Sequence, residues 1–575
     1  MPGSSRRPSV APSAASAVAP AAPTSTPRGA GPRAMVIGLD GATWTLLDGF
    51  IAEGVMPTLA RLRGEGVYGP LWSVIPPMTA TAWTSYQTGK GPGKHGIYDW
   101  TEPVGHSWVY RPIDSTRIQS ATLFEDLSAR GKRVATVNLP LTFPARPIAG
   151  IAVGDMLTPS KDSPGFVSPP SFRAELDQIA PDYVIDTHLC EREDDIGPFL
   201  DRLRAMIEAR GKVIRALLER ERWDVFCTVW VEMDRMQHCL WHIFDPAHPR
   251  HDARLAAAWR PAILDIYRLI DTRIAEMIDR AGPDTNVYFI SDHGFGPCRY
   301  KVFLNTWLAK EGFLVYKEGG RAARGRIQRA RSLLDRAGLD TVKLVARARA
   351  MGADAWLGSA GESLSRFAAE IDWTRTRAVC HGTNAIRINL QGREPTGIVP
   401  PEAYAEVAAE LRAKLLAMRD PEGNEVIQAV HTREELYQGP HVASAADVVI
   451  AHHDDSVWFY YSEGEVPERI FEPSDWASGN HKPDGLFCAW GPGIRAGGHV
   501  GDAQIVDILP TLYAGLGVSI PDDGDGRVLR EVFRPELGVR PLYRAAAAWT
   551  APEGVRDAAS DAAIEARLRG LGYLQ

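Results

Sequence analysis

Three observations predict an α/β protein with a mainly parallel central sheet covered by helices on both faces. Several short runs are apolar throughout, as strands buried on both faces are. Amphipathic helical stretches separate these runs, the alternation that produces parallel strands joined by crossovers. The runs also end in acidic or histidine residues, at the strand termini where open α/β sheets take their ligands.

The first run, AMVIGL (34–39), ends in Asp40-Gly41, and a helical stretch over 45–64 follows and closes on Gly64. TLFEDLSARG is amphipathic and leads into a buried strand in KRVATVNLP (132–140). FLDRLRAMIEARGKVIRALLERE (199–221) has helical periodicity and precedes the strand in WDVFCTVWVE. PAILDIYRLIDTRIAEMIDRAG (261–282) reads as an amphipathic helix before the strand NVYFISD. Beyond about residue 300 the pattern changes. GGRAARGRIQRARSLLDRAGLDTVKLVARARAMG is helical and basic, from Arg321 to Arg349, and reads as a solvated helix face on an inserted cap. A surface that attracts anionic substrates or membrane lipid is the sharper alternative. AIRINLQGREPTGIVP and ASAADVVIAHH are strand-rich parts of the same insertion. DGLFCAWGPGI (484–494) resumes the core, and IVDILPTLYAGLG (505–517) is a helix ending on glycine. The expected organisation is a disordered tail over 1–33, core over 34–300, a cap over 301–470, core again over 471–540, and a peripheral helix within 541–575.

Composition narrows the class. With 45% hydrophobic and 23% charged residues in 575, the chain reads as an ordinary globular protein of more than one structural unit. A net charge of -7 on this length argues against a nucleic-acid partner. The six cysteines are scattered, with no CxxC pair, which suits buried free thiols and a cytoplasmic setting. No run reaches the roughly 18 apolar residues of a membrane span. Arg6-Arg7 invites a twin-arginine export reading, but Pro12, Pro20 and Pro23 interrupt the sequence that follows, and no apolar core is present.

Asp40, Asp234 with His238, and Asp292-His293 each fall where a predicted strand runs out, and His481 follows far downstream in a polar loop. Asp and His without Cys suit a divalent cation such as zinc or manganese. Asp234 and His238 are four residues apart, on one face of a helix, and His242 continues that face as a structural histidine. Asp271 is expected to be a surface or capping acid. In IPPMTATAWTSYQTGKGPGKHGI (75–97), Pro76-Pro77 precede a helix in ATAWTSYQTG that sets Thr79 at its N-cap or first turn. An anion is favoured there, and a cation alongside lowers the pKa of a hydroxyl, so Thr79 is either a cap or a nucleophile. Thr81, Thr84 and Ser85 compete for the second role, and His95 is positioned to orient the nucleophile loop.

Six segments, VIGLDGATW, PPMTATAWTSYQTGKGPGKHGI, WVEMDRMQH, SDHGFG, SGNHKPDGLFCAWGPGI and IVDILPTLYAGLG, occur in this order between about residues 35 and 530. Together they resemble the alkaline phosphatase superfamily, in its nucleotide pyrophosphatase/type I phosphodiesterase branch and the prokaryotic phosphohydrolase and phosphomutase relatives of that branch. The resemblance implies a three-layer αβα sandwich with an inserted cap. It implies a metal-dependent hydrolase of small phosphate esters with two divalent ions, Zn2+ or else Mn2+. Asp234, His238 and His481 are then the ligands of one ion. Asp40, Asp292 and His293 hold the other, which Thr79 also ligates, and Thr79 is the nucleophile that forms a phospho-threonine. The family Asn that touches a nonbridging phosphate oxygen is read at Ala82, so another group is expected to hold that oxygen. A phosphomutase and a non-catalytic anion-binding member of the fold are the alternatives. A sulfatase is not, since no CxPxR or SxPxR signal lies near Thr79.

Overall fold

The computed structural model describes residues 33–190, 192–317, 369–454, 456–460, 467–475, 477–547, 549, 558–571 and 573. The tail over 1–32 and the basic segment from Arg321 to Arg349 lie outside the described residues.

The strands Ala34–Leu39 and Val225–Trp230 are buried at every position, as their unbroken apolar runs require. They pair in parallel and form the middle of a ten-stranded sheet. Asn286–Ile290 lies parallel on the other side of Ala34–Leu39. Val134–Val137 and Gly150–Val153 extend the sheet in parallel beyond Val225–Trp230, and Val167–Ser168 closes that edge antiparallel. At the opposite side Asp484–Trp490 enters antiparallel between Asn286–Ile290 and Val67–Trp72. Val67–Trp72 contains Gly69 and Pro70, which hide it from a reading based on apolar runs.

Helices Pro57–Glu65, Ile196–Arg220, Glu232–Phe244 and Ala253–Ala281 pack on one another as one outer layer. Thr79–Thr88, Leu123–Ala129 and Ile508–Leu516 form the second group. The expected helix over 45–64 is two helices, Trp44–Ala52 and Pro57–Glu65. Gly54, at φ 70°, turns the chain between them, and Pro57 starts the second with its missing N–H at no cost. Asp271 is indeed a cap, though a buried one: its carboxylate accepts from the Thr58 and Leu59 backbone N–H groups at the start of that second helix, at 2.9 and 3.0 Å.

The insertion has its own hydrophobic cluster and a four-stranded antiparallel sheet in the order Ala378–Cys380, Ala385–Ile388, Val448–His453, Ile427–Thr432, backed by helix Tyr404–Leu416. The C-terminal helix, Ala558–Gly570, departs from the expectation of a peripheral element. Ile564, Leu568, Leu571 and Tyr573 are buried in the cap's cluster beside Trp100 and Met78 of the core. Their apolar spacing is short and weak in sequence, and a docking surface supplied by distant segments decides their burial. The Thr79–Thr88 helix joins the two clusters, with Ala82, Trp83 and Tyr86 in the sheet's core and Ala80 in the cap's. All six cysteines are buried. Among the described residues no helix is long and apolar enough to cross a membrane.

Gly38 couples this packing to the end of the first strand. A Cβ there would stand 2.5 Å from the Trp83 ring and 2.8 Å from Val229. Neither neighbour can move freely in a closed core, so Gly38→Ala is expected to cost about 1–3 kcal/mol. Urea unfolding that matches the parent's midpoint would show instead that the Trp83 ring has room to shift.

Candidate metal centre

The parallel strands deliver their C-terminal residues to one place. Asp40 follows Ala34–Leu39, Asp292 and His293 follow Asn286–Ile290, and Asp234 sits in the first turn of Glu232–Phe244, directly after Val225–Trp230. His238 is one helical turn further along. His481 comes from the strand Gly479–Lys482, which pairs antiparallel with Gly294–Pro297 so that Phe295 opposes His481. That short ladder stacks the His481 ring on His293, with centroids 3.5 Å apart. The loop expected around His481 is thus a strand, ordered by a partner nearly 190 residues earlier in the chain.

Asp40, Asp234, His238, Asp292 and His293 are buried together, and Thr79 with them, while His481 is partly exposed at the rim. Asp234 Oδ1 lies 3.4 Å from His238 Nε2 and 3.3 Å from His481 Nε2. His293 Nε2 lies 3.1 Å from Asp292 Oδ2 and 3.8 Å from Asp40 Oδ1. His293 stands between the two expected ligand groups. Its donor nitrogen falls within 4.8 Å of Asp40 and Asp292 on one side and of Asp234 and His481 on the other.

The hydrogen bonds fix which ring nitrogens face inward. Nδ1 of His238 faces Gly479 O at 3.2 Å, Nδ1 of His293 faces Gly294 O at 3.1 Å, and Nδ1 of His481 faces Pro77 O at 3.1 Å. A carbonyl only accepts, so each Nδ1 carries the proton and each Nε2 turns a lone pair into the centre. The lone pairs of His238 and His481 then face each other at 3.0 Å. One oxygen of every carboxylate, Asp40 Oδ1, Asp234 Oδ1 and Asp292 Oδ2, is buried without a hydrogen-bond donor. Lone pairs and orphaned carboxylate oxygens converging in a closed space repel one another unless cations lie between them, so this donor set fits divalent metal ions.

The electrostatics agree. Burial, reinforced by Asp292 and Asp234, holds the Asp40 carboxyl well above the ordinary range, and burial with Asp234 does the same to Asp292. Burial also opposes the charge on Asp234, but the His238 and His481 rings, when they carry a proton on Nε2 in place of a metal bond, outweigh it together with the Arg235 guanidinium and hold that carboxyl well below the ordinary range. His293 is pushed well down by burial and by the His481 ring. Three carboxylates this close ionise together only with added positive charge.

Thr79 is the first residue of its helix, whose ten residues are all buried. Its Oγ1 lies 3.2 Å from His293 Nε2. The competing hydroxyls are occupied elsewhere. Thr81 donates to Met78 O and Thr84 to Ala80 O, while Ser85 Oγ meets His95 Nε2 at 2.9 Å. His95 Nδ1 accepts from the Ile97 N–H at 3.1 Å, so its Nε2 carries the proton and donates to Ser85. His95 therefore fastens the Thr79 helix to the following turn without touching the centre. His242 is buried one turn beyond His238 and its ring lies near His248, outside the cluster.

Other neighbours were not legible in the sequence. Trp83 Nε1 donates to Asp40 Oδ2 at 3.0 Å, and the Gly41 N–H donates to Asp292 Oδ1 at 3.3 Å. Arg235 pairs with both Asp234 and Asp186, each contact fully buried. Tyr573 brings its hydroxyl to 3.4 Å from Thr79 Oγ1 and 3.2 Å from Arg235 Nη1. An arginine within the buried face MDRMQH could have drawn notice, but nothing in GYLQ marks Tyr573. Ala82, where the sequence pointed to a missing phosphate contact, packs in the sheet's apolar core. The polar groups beside Thr79 come from elsewhere.

The sequence profile of the type I phosphodiesterase / nucleotide pyrophosphatase family matches residues 34–484. Phosphonoacetate hydrolase from Sinorhizobium meliloti 1021, solved with phosphonoformate, is similar in fold with a TM-score of 0.50 and 15% identity, over 86% of this chain and 96% of that one. Human ectonucleotide pyrophosphatase / phosphodiesterase 5 is similar with a TM-score of 0.47 and 14% identity, over 86% of this chain and 97% of that one. No curated protein sequence matches the chain.

His95 gives the centre's scaffold a testable pH dependence. Burial, with His441 and Lys90 nearby, pushes its pKa down to about 3. Below its unfolded value of about 6.5 the unfolded chain binds a proton that the folded chain refuses. Its contribution is therefore complete above that value and is lost as pH falls toward the folded one. The stability advantage of the parent over His95→Gln is expected to shrink between about pH 7.5 and about pH 5 in paired thermal melts. A constant difference would contradict a neutral buried ring.

Proposed function

The chain belongs to the type I phosphodiesterase/nucleotide pyrophosphatase family of phosphoester hydrolases, and we propose that it cleaves small phosphate esters by a double displacement at a two-cation site with Thr79 as nucleophile. The observation that carries this reading is the setting of Thr79 Oγ1, at a helix start and 3.2 Å from His293 Nε2. The orphaned carboxylate oxygens of Asp40, Asp234 and Asp292 accompany it.

Divalent ions, with zinc or manganese suited to an Asp and His set, would be held by Asp234, His238 and His481 and by Asp40, Asp292 and His293, lowering the pKa of the Thr79 hydroxyl and supplying charge opposite the phosphoryl oxygens. Two such ions against three carboxylates leave about one positive charge, which suits an anionic substrate. Thr79 loses its proton to solvent, and Oγ1 bonds to phosphorus as the ester P–O bond breaks. The departing alcohol oxygen takes a proton from water. A water oxygen then bonds to phosphorus and gives its proton to solvent as the Thr79 Oγ1–P bond breaks, Oγ1 takes up a proton, and phosphate, or a phosphate monoester where the substrate was a diester, is released. The helix N-terminus adds unpaired N–H groups beside the transferred anion. Burial of all ten residues of the helix holds Thr79 in place, which suits phosphoryl transfer, where positioning and charge supply most of the catalysis. Cap residues Asn384 and Trp458 line the cavity above His481 together with Pro77, which makes the cap the natural source of substrate preference.

Thr79→Ala is expected to lower turnover of aryl phosphate esters by on the order of 10³-fold or more while the protein stays folded. Full activity in that variant would remove Thr79 from the role. Metal analysis is expected to find two divalent ions per chain. Adding the ion at about 100 times its Kd should raise stability by about 2.7 kcal/mol. An Asp234→Asn variant that still binds two ions tightly would refute the ligand assignment. Product analysis with an added alcohol separates hydrolysis from phosphoryl transfer to a second hydroxyl, the phosphomutase alternative.

A further inference from the structure

Tyr573 reaches the nucleophile from the far end of the chain, and its anchoring is extensive. Its ring packs against Trp100 with centroids 4.9 Å apart, and its own N–H donates to Leu568 O at 2.9 Å. Leu568 and Leu571 are buried beside it, so the helix that precedes Tyr573 is a packed part of the molecule.

We propose that Tyr573 is a catalytic hydrogen-bond donor that holds a nonbridging oxygen of the phosphoryl group while it is carried on Thr79. This rests on the reading of Thr79 as nucleophile. The hydroxyl has two partners, Arg235 Nη1 at 3.2 Å and Thr79 Oγ1 at 3.4 Å. A guanidinium only donates, so the phenol accepts from Arg235 and its single proton is left for the Thr79 side. Arg235 is itself fixed, paired through Nη2 to Asp186 at 2.8 Å and through Nη1 to Asp234. The donor is therefore set in place before substrate arrives, the condition under which a hydrogen bond to developing charge counts most.

The placement also speaks against a plug. Tyr573 makes no hydrogen bond to the orphaned oxygens of Asp40, Asp234 and Asp292, so it does not stand in for the cations. It borders the same cavity as Pro77, Asn384 and His481, where an ester bound at Thr79 would extend.

The test is Tyr573→Phe in the full-length, metal-loaded protein, a change that keeps the ring and its packing. With an aryl phosphate ester, kcat is expected to fall about 10²-fold with little change in KM. Bound metal and the melting temperature should match the parent. Inorganic phosphate, titrated by its protection against thermal unfolding, should bind about tenfold more weakly. A kcat equal to the parent's, or an unchanged phosphate affinity, would overturn the proposal. A raised kcat would also overturn it, by showing that the ring obstructs the site. Thr79→Ala is measured alongside. If that variant remains active, the nucleophile reading has failed. If it is inactive while Tyr573→Phe is as fast as the parent, only the role of Tyr573 has.

Discussion

Three carboxylates and three imidazole lone pairs converge in the buried space beneath the cap, with Arg235 as the cation paired to Asp234. The chain places like charge and lone pair against each other at distances of 3 to 4 Å, an arrangement a protein interior tolerates only when positive ions complete it. Other features of the fold serve this constraint. Each imidazole is held in one tautomer by a backbone carbonyl, and the outer oxygens of Asp40 and Asp292 are tied to Trp83 and Gly41. The inner oxygens are left bare.

The sheet supplies the necessary rigidity. The strands bearing Asp40, Asp292 and the approach to Asp234 are adjacent and parallel, so their ends cannot separate without breaking the central ladder. Residues on such a frame vary little in position, and phosphoryl transfer depends on that precision. Gly38 shows how far the frame is fitted to the centre. Its missing side chain is filled by the Trp83 ring, whose indole N–H holds Asp40. Packing of the first strand and orientation of a candidate metal ligand are here the same contact.

The cap and the C-terminal helix complete the enclosure from the opposite side. Their shared cluster covers Met78 and Ala80 at the start of the Thr79 helix and carries Tyr573 to Thr79. The scissile group would thus be handled by elements from both hydrophobic clusters. Among the described residues, the Thr79 helix is the one element whose residues belong to each.

How much of this was legible follows from the range of the interactions. Continuous apolar runs encode burial on both faces, so the strands at 34–39, 225–230 and 286–290 could be read directly, and the acids at their ends with them. The i, i+4 spacing of Asp234 and His238 is local and survived intact. Val67–Trp72 was hidden because Gly69 and Pro70 interrupt its apolar run, and Gly69 answers a close approach of the distant Val500 backbone. His481 carried no signal of its own, since its place is set by pairing with Gly294–Pro297 across a long loop. Tyr573 lay beyond any local pattern, because its burial depends on a surface assembled from the core and the cap. The sequence by itself determined the αβα frame and the residue types able to hold divalent ions. Tertiary structure alone decided that His293 stands between the two candidate ligand groups and that Tyr573 meets Thr79, because both depend on contacts between segments far apart in the chain.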